Sequence, residues 1–179
     1  QELLTKGLPG RHKEFKQTEI GEIPATWEVV ELADVCDAQA GGTPNRDDPT
    51  NFGGTIAWVK SGEVGGALVV ATEESLTEAG LRRSSARVRP AGCVLLAMYG
   101  ATAGQVGRLG IPAATNQAVL ALQPYESRMS NDYLAVLLEH AAKQLLGRVQ
   151  GSGQPNLSKA LVTSLRIALP TRPEQDTIA

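Results

Sequence analysis

Apolar runs of four or five residues, parted by segments rich in Gly, Pro, Asn and Ser, set the strongest limit on what this chain can fold into. Val94-Leu-Leu-Ala-Met98 and Ala118-Val-Leu-Ala-Leu122 are the plainest of these runs. Each is short and bounded by turn formers, the mark of a strand. With 19 Gly and 10 Pro in 179 residues, many turns must join short elements. Strict alternation of strand and helix is lacking. The expectation is a mixed α/β fold of the α+β kind, with a curved, mainly antiparallel sheet and packed helices, rather than a doubly wound parallel sheet.

Reading along the chain, residues 1–8 end a helix at Gly7, and a polar connector leads to Thr26. Residues 27–31 alternate as a strand and 32–38 suit a short helix. Further strands are expected at 56–60, 67–71, 87–90, 94–98, 105–109, 118–122 and 166–169. Residues 75–84 and 157–165 have helical spacing. The best helix spans 132–146, with Leu134, Leu137, Leu138, Ala141 and Leu145 on one face, Ser130 or Asn131 as cap, and Gly147 as stop. Thr171-Arg-Pro-Glu174 has the form of a capping box, so a helix begins there. The chain thus opens on a helix end and closes on a helix start, as a domain cut from a longer protein would.

The length suits one domain with a sizeable core. Only 4% of residues are aromatic, so Leu, Val, Ile and Ala must fill that core, with Trp27 and Trp58 as core residues too. A net charge of −2 argues against a protein that grips nucleic acid alone by charge, and leaves room for a local basic face or a basic partner. Cys36 and Cys93 sit in apolar settings and read as buried thiols, which fits a reducing cytosol. No signal peptide and no apolar run of membrane-spanning length is present, and a cytoplasmic protein is expected.

Four polar segments lie between the apolar runs: Gly41-Gly-Thr-Pro-Asn-Arg46, Tyr99-Gly-Ala-Thr-Ala-Gly104, Thr115-Asn-Gln117 and Gly151-Ser-Gly-Gln-Pro-Asn156. Glycine permits close approach of a backbone to a ligand, and Asn, Gln, Arg and Ser supply paired donors and acceptors. That is the vocabulary for reading base edges in a DNA groove. Candidate DNA contacts are Thr43, Asn45, Arg46, Lys60, Tyr99, Thr102, Asn116, Gln117, Ser152, Gln154, Asn156 and Lys159, together with Arg82, Arg83 and Arg87 from the one basic cluster. Competing structural roles exist: Asn116 and Gln117 would equally tie down their own loop, and the arginines would equally form a solvated edge.

Signatures of catalysis are lacking. There is no Walker A loop, dinucleotide fingerprint, H-E-x-x-H or C-x-x-C. Gly100-Ala-Thr-Ala-Gly104 lacks the lysine of a phosphate loop. His12 and His140 are far apart and read as surface residues, and Glu73-Glu74 reads as a solvated face. No catalytic residue and no metal ligand is expected.

A longer succession then becomes informative. Ile23-Pro-Ala-Thr-Trp27-Glu, Leu32-Ala-Asp-Val35, Gly41-Gly-Thr-Pro44, Gly54-Thr-Ile-Ala-Trp-Val59, Leu76-Thr-Glu-Ala-Gly80, Gly100-Ala-Thr-Ala-Gly104, Asn116-Gln117, Gln154-Pro-Asn-Leu157 and Leu169-Pro170 to Glu174-Gln175 follow in order. Together they resemble the target recognition domain of type I restriction-modification specificity (S) subunits. The resemblance implies residues 1–18 as the end of a spacer helix with its connector, 19–170 as the recognition domain, and 171–179 as the start of the next spacer helix. It implies a non-catalytic reader of double-stranded DNA that takes one half of a split site, beside a second recognition domain in the same or another chain. Modification subunits would bring S-adenosylmethionine, and restriction subunits ATP and Mg; no cofactor would belong to this chain. The alternatives are the same domain in a fused methyltransferase–specificity polypeptide, and a protein-interaction module unrelated to DNA. No asparagine-proline-proline-aromatic tetrad is present, so methyl transfer would lie outside this chain in either case.

Overall fold

The two apolar runs pair with each other at the centre of the molecule. The computed structural model describes residues 2–65, 68–149 and 156–179. Its first half holds α1 (Leu3–Lys6), β1 (Phe15–Thr18), β2 (Gly21–Pro24), β3 (Glu28–Glu31), β4 (Cys36–Ala40), β5 (Phe52–Val59), β6 (Leu68–Val69), β7 (Glu74–Leu76) and α2 (Glu78–Arg82). The second half holds β8 (Val94–Ala97), β9 (Val106–Leu109), β10 (Ala114–Thr115), β11 (Val119–Pro124), α3 (Asn131–Val149), α4 (Lys159–Thr163), β12 (Arg166–Leu169) and α5 (Arg172–Ile178).

A five-stranded sheet in the order β4-β11-β8-β9-β6 forms the middle layer. Strands β8 and β11 lie antiparallel with Leu95 opposite Ala121. Val94, Leu96, Leu120 and Leu122 point to one side and share a core with Leu134, Leu138 and Leu145 of α3. Leu95, Ala97, Val119 and Ala121 point to the other and share a core with Val59, Val64, Val69 and Leu109. Burial on both faces is why these strands are apolar throughout, instead of alternating. Each buried Leu contributes about 2 kcal/mol, so neither face can be turned to water.

On the far side stands a smaller sheet, ordered β10-β5-β7, whose own apolar cluster is Trp58, Leu76, Ala86 and Ala114. Two-stranded units β1-β2 and β12-β3 complete the architecture. Strand pairs β5–β10 and β6–β9 are parallel, and the rest among the described residues are antiparallel. The mixed, mainly antiparallel class is the expected one.

Several local expectations give way to tertiary pairing. Only Leu32–Asp34 of the 32–38 segment coils, as a single 3-10 turn, because β11 offers Cys36–Ala40 a ladder. The 75–84 segment splits at Thr77. Residues before it pair with β5, and the Thr77 hydroxyl accepts from the Gly80 amide at 3.0 Å to start α2. Of 87–90, only Arg89 bridges to Ala113. The polar connector hides the hairpin β1–β2. Ser130, rather than Asn131, caps α3, its hydroxyl accepting from the Tyr133 amide at 3.1 Å. Helix α3 runs through Gly147 to Val149, despite the roughly 1 kcal/mol that an interior glycine costs. Ala67, expected in a strand, lies outside the described residues.

The largest local correction concerns the C-terminal helix. Thr171 makes no side-chain cap, so the capping box does not form. Glu174 instead turns inward, 2% exposed, and accepts from Trp27 Nε1 at 2.9 Å while His12 Nε2 bonds its other oxygen. His12, expected on the surface, has a side chain only 10% exposed. Gln175 completes the dock: it accepts from the Ser130 amide and donates to the Arg128 and Pro170 carbonyls.

Candidate nucleic-acid interface

Strand register decides where the polar segments go. Ala40 at the end of β4 lies opposite Leu120 near the start of β11, and Ala97 at the end of β8 lies opposite Val119. Leu96 lies opposite Val106 at the start of β9. The loops after β4, between β8 and β9, and before β11 therefore leave the sheet at the same end. Backbone bonds tie them together: Gly41 donates to the Val119 carbonyl, Gly42 to Thr115, and Met98 to Ala118, at 3.1, 2.9 and 2.8 Å. Leu157 donates to the Met98 carbonyl at 2.9 Å, and a bridge joins Tyr99 to Asn156. So the described end of the fourth polar segment arrives there as well. Ser152 and Gln154 lie outside the described residues.

Lys60 joins the group through β5. Its neighbour Val59 pairs with Thr115 of β10, and the Val59 carbonyl accepts from the Asn116 amide at 2.9 Å. Thr43 and Gln117, from different loops, are hydrogen-bonded through their side chains. The Asn116 amide oxygen accepts from the Ala118 backbone at 3.1 Å, and Asn45 accepts from Asp47 in the same way. Both therefore spend an acceptor on their own loops.

The glycines of the first loop serve the chain's own packing. A Cβ on Gly41 would overlap the Thr115 and Asn116 carbonyl oxygens, and one on Gly42 would overlap Ser85 and the Ala86 nitrogen. Close approach is required, but its partner here is backbone. Trp58 is buried beneath this loop and donates from Nε1 to the Gly42 carbonyl at 3.1 Å. The Arg46 guanidinium lies 4.8 Å from the Phe52 ring centre and 4.9 Å from that of Trp58.

Four of the cations at this end are paired with carboxylates. Arg46 meets Glu74 with Nη1 at 2.5 Å and Nη2 at 3.3 Å. Lys60 reaches Glu73 at 2.7 Å and Glu74 at 3.0 Å. Bonds from Arg46 and then Lys60 hold the Glu74 carboxyl below its ordinary range, and those to Glu73 and Glu74 raise Lys60. Glu73-Glu74, read as a solvated face, thus forms an ion-pair network. Arg83 pairs with Asp48 at 3.0 Å, and Arg82 with Glu78 one turn back in α2. Hydrogen bonds from Thr50, with Arg83 behind them, lower Asp48. Arg87 folds back onto the Ser84 and Ala86 carbonyls, at 3.0 and 2.7 Å. This arginine segment passes beside the first loop at Gly42.

Tyr99 is partly exposed, Thr102 closes a 3-10 turn, and Lys159 opens α4 behind the Ser158 cap. Asn51 escaped the sequence reading. It is buried, donates to the Asn45 carbonyl at 3.0 Å, and its backbone carbonyl accepts from Thr77 at 3.0 Å. It anchors the far side of the first loop, and no local pattern distinguishes it from a turn asparagine.

The assembled end presents hydroxyls, amides, paired cations and an aromatic ring from separated parts of the chain. Such a set suits recognition of a hydrogen-bonding surface. Among the described residues, no group of three or more His, Cys, Asp or Glu side chains is placed to hold a metal ion.

Known proteins are similar to this chain in architecture and in sequence. Residues 24–179 match the type I restriction modification DNA specificity domain. The chain is 29% identical over 174 residues to the type I restriction enzyme MjaIX specificity subunit of Methanocaldococcus jannaschii, covering 93% of this chain and 39% of that one. It is 31% identical over 188 residues to the MjaVIII specificity subunit of the same organism, covering 100% and 44%. The chain thus spans about two fifths of the length of these relatives. The crystal structure of the HsdS subunit from Thermoanaerobacter tengcongensis superposes with a TM-score of 0.70 at 19% identity, covering 92% of this chain and 38% of that one. The chain belongs to the family of type I restriction-modification DNA specificity domains.

Proposed function

We propose that this domain reads a DNA sequence, one half of a split target, and so directs partner modification and restriction subunits to their site. The observation that carries the reading is the convergence of the polar segments on one end of the central sheet, in a chain of this family. The chain itself is non-catalytic on this reading. S-adenosylmethionine, ATP and Mg belong to partners, and a second recognition domain supplies the other half-site. Among the described residues no helix is long and apolar enough to cross a membrane. A cytoplasmic setting, where DNA and partners meet, is part of the proposal.

Within it, Thr43, Asn45, Arg46, Lys60, Tyr99, Thr102, Asn116, Gln117, Asn156 and Lys159, with Ser152 and Gln154 from outside the described residues, are the candidate DNA contacts, and Arg82, Arg83 and Arg87 touch phosphates. The two kinds of contact separate experimentally, in the complex reconstituted with its partner subunits. Methylation sequencing first identifies the target. Gln154→Ala or Asn156→Ala is expected to weaken cognate binding by about 1–3 kcal/mol and scrambled duplex little. Arg83→Ala is expected to weaken both alike and flatten the salt dependence by roughly one unit. Unchanged affinity for both duplexes in every variant, with the fold intact, places DNA on another face.

A further inference from the structure

The network of Arg46, Lys60, Glu73 and Glu74 has an arrangement that the reading role leaves unexplained. Its two cations and two carboxylates cancel, at the very end where DNA would need positive charge. The end of the Arg46 fork, the geometry that fits a phosphate or a guanine edge, is filled by the Glu74 carboxylate at 2.5 and 3.3 Å. Stacking over Phe52 and Trp58 holds the guanidinium there. Lys60 is held in turn by both carboxylates. The backbone of Glu74 is fixed beside Trp58 by the β5–β7 ladder, which keeps its carboxylate within reach of both cations.

We propose that Glu74, aided by Glu73, is a specificity-determining residue that keeps Arg46 and Lys60 from gripping phosphate indiscriminately. The inference rests on the DNA-reading assignment above. Specificity is a difference between affinities, and it rises when binding to wrong sequences is penalised. Non-specific duplex offers phosphates alone, which must displace a two-pronged carboxylate and then sit beside two negative charges. A cognate duplex adds base contacts from the neighbouring loops, which offset the cost of opening the pairs.

The test is a salt titration of the complex reconstituted with its partner subunits against a mixed-sequence duplex, comparing Glu74→Gln, Glu73→Gln, Arg46→Ala, Lys60→Ala and the double variant Glu74→Gln with Arg46→Ala in this chain. Glutamine keeps the shape and an acceptor oxygen while losing the charge. Circular dichroism melts verify folding, and the exposed Glu73 gives a second variant that spares the β7 ladder. Glu74→Gln is expected to raise non-specific affinity roughly three- to tenfold at about 50 mM salt, and to steepen the log–log salt slope by about 0.9 for each cation freed. Glu73→Gln gives a smaller gain, and the double variant loses most of the gain. If Glu74→Gln weakens binding as Arg46→Ala does, the carboxylate braces the arginine, and the proposal falls. It falls equally if the glutamine variants change nothing while Arg46→Ala or Lys60→Ala weakens binding; the DNA face would then stand. No change in any variant overturns the assignment of this face as well.

Discussion

Removing the Glu174 carboxylate would leave two donors without their acceptor: the indole N–H of Trp27, which is buried, and the His12 ring. An unsatisfied buried donor costs about 1–3 kcal/mol. Glu174→Ala is therefore expected to lower the melting temperature by roughly 2–4 °C for each kcal/mol lost, read by thermal circular dichroism. Trp27→Phe removes the donor but leaves the carboxylate, and the two changes together should cost less than their sum, since they share one bond. Cys36 offers a second check at this scale. Desolvation, with Asp37 and Cys93 adding to it, pushes its thiol from an ordinary 9.0 up to about 12. A raised value means the folded state resists ionisation. The stability this contributes is fully present below pH 9 and is lost as pH climbs toward 12. At pH 8 the thiol should stay unreacted toward a thiol-specific reagent until the protein is unfolded, and rapid labelling of the folded chain would contradict its burial.

At the scale of elements, β8 carries the clearest consequence of burial on both faces. Leu95 and Leu96 point in opposite directions, into different clusters, and both are essentially inaccessible. Leu95→Ala and Leu96→Ala should each cost about 2–5 kcal/mol in urea unfolding. A sheet with one wet face would tolerate one of the two. The β4 turn makes a contrasting case. Gly41 sits where any Cβ meets the backbone of Thr115 and Asn116. Gly41→Ala should therefore shift the first polar loop away from β10 as well as destabilise, seen as amide shift changes at Asn116 and Gln117 in NMR spectra. Here the sequence was half legible. The glycine pair announced a close approach, but whether to a ligand or to the chain's own backbone depends on a strand about 70 residues away.

For the whole molecule, electrostatics set the expectation. A net charge of −2, with Arg46, Lys60, Arg82 and Arg83 each in an ion pair, leaves Arg87 and Lys159, among the described residues, as the cations of the proposed DNA face that carry their charge outside the ion pairs. Counterion release would then be small, and the chain by itself should show a shallow salt dependence. On the proposed division of labour, in which partner subunits add phosphate contacts, the reconstituted complex should show a much steeper one. Fluorescence anisotropy over a salt series measures both slopes. Equal slopes would mean that this domain holds the duplex unaided, against the division of labour proposed here.

What the sequence determined alone was what local chemistry controls. Short apolar runs with turn formers between them could only become buried strands, and the 3.6-residue stripe from Leu134 to Leu145 could only become a helix packed on them. Nine ordered segments placed the chain in its family before any coordinate. Tertiary structure alone decided the rest. Cys36–Ala40 became a strand because β11 presented an open ladder, whatever its own preference. Glu174 became a buried acceptor because Trp27 and His12 converged on it from more than 140 residues away in the chain. Glu74 became the partner of Arg46 because β7 pairs beside Trp58. Each of these is a contact between distant residues, whose energy exists only once register and packing have brought them within a few ångströms.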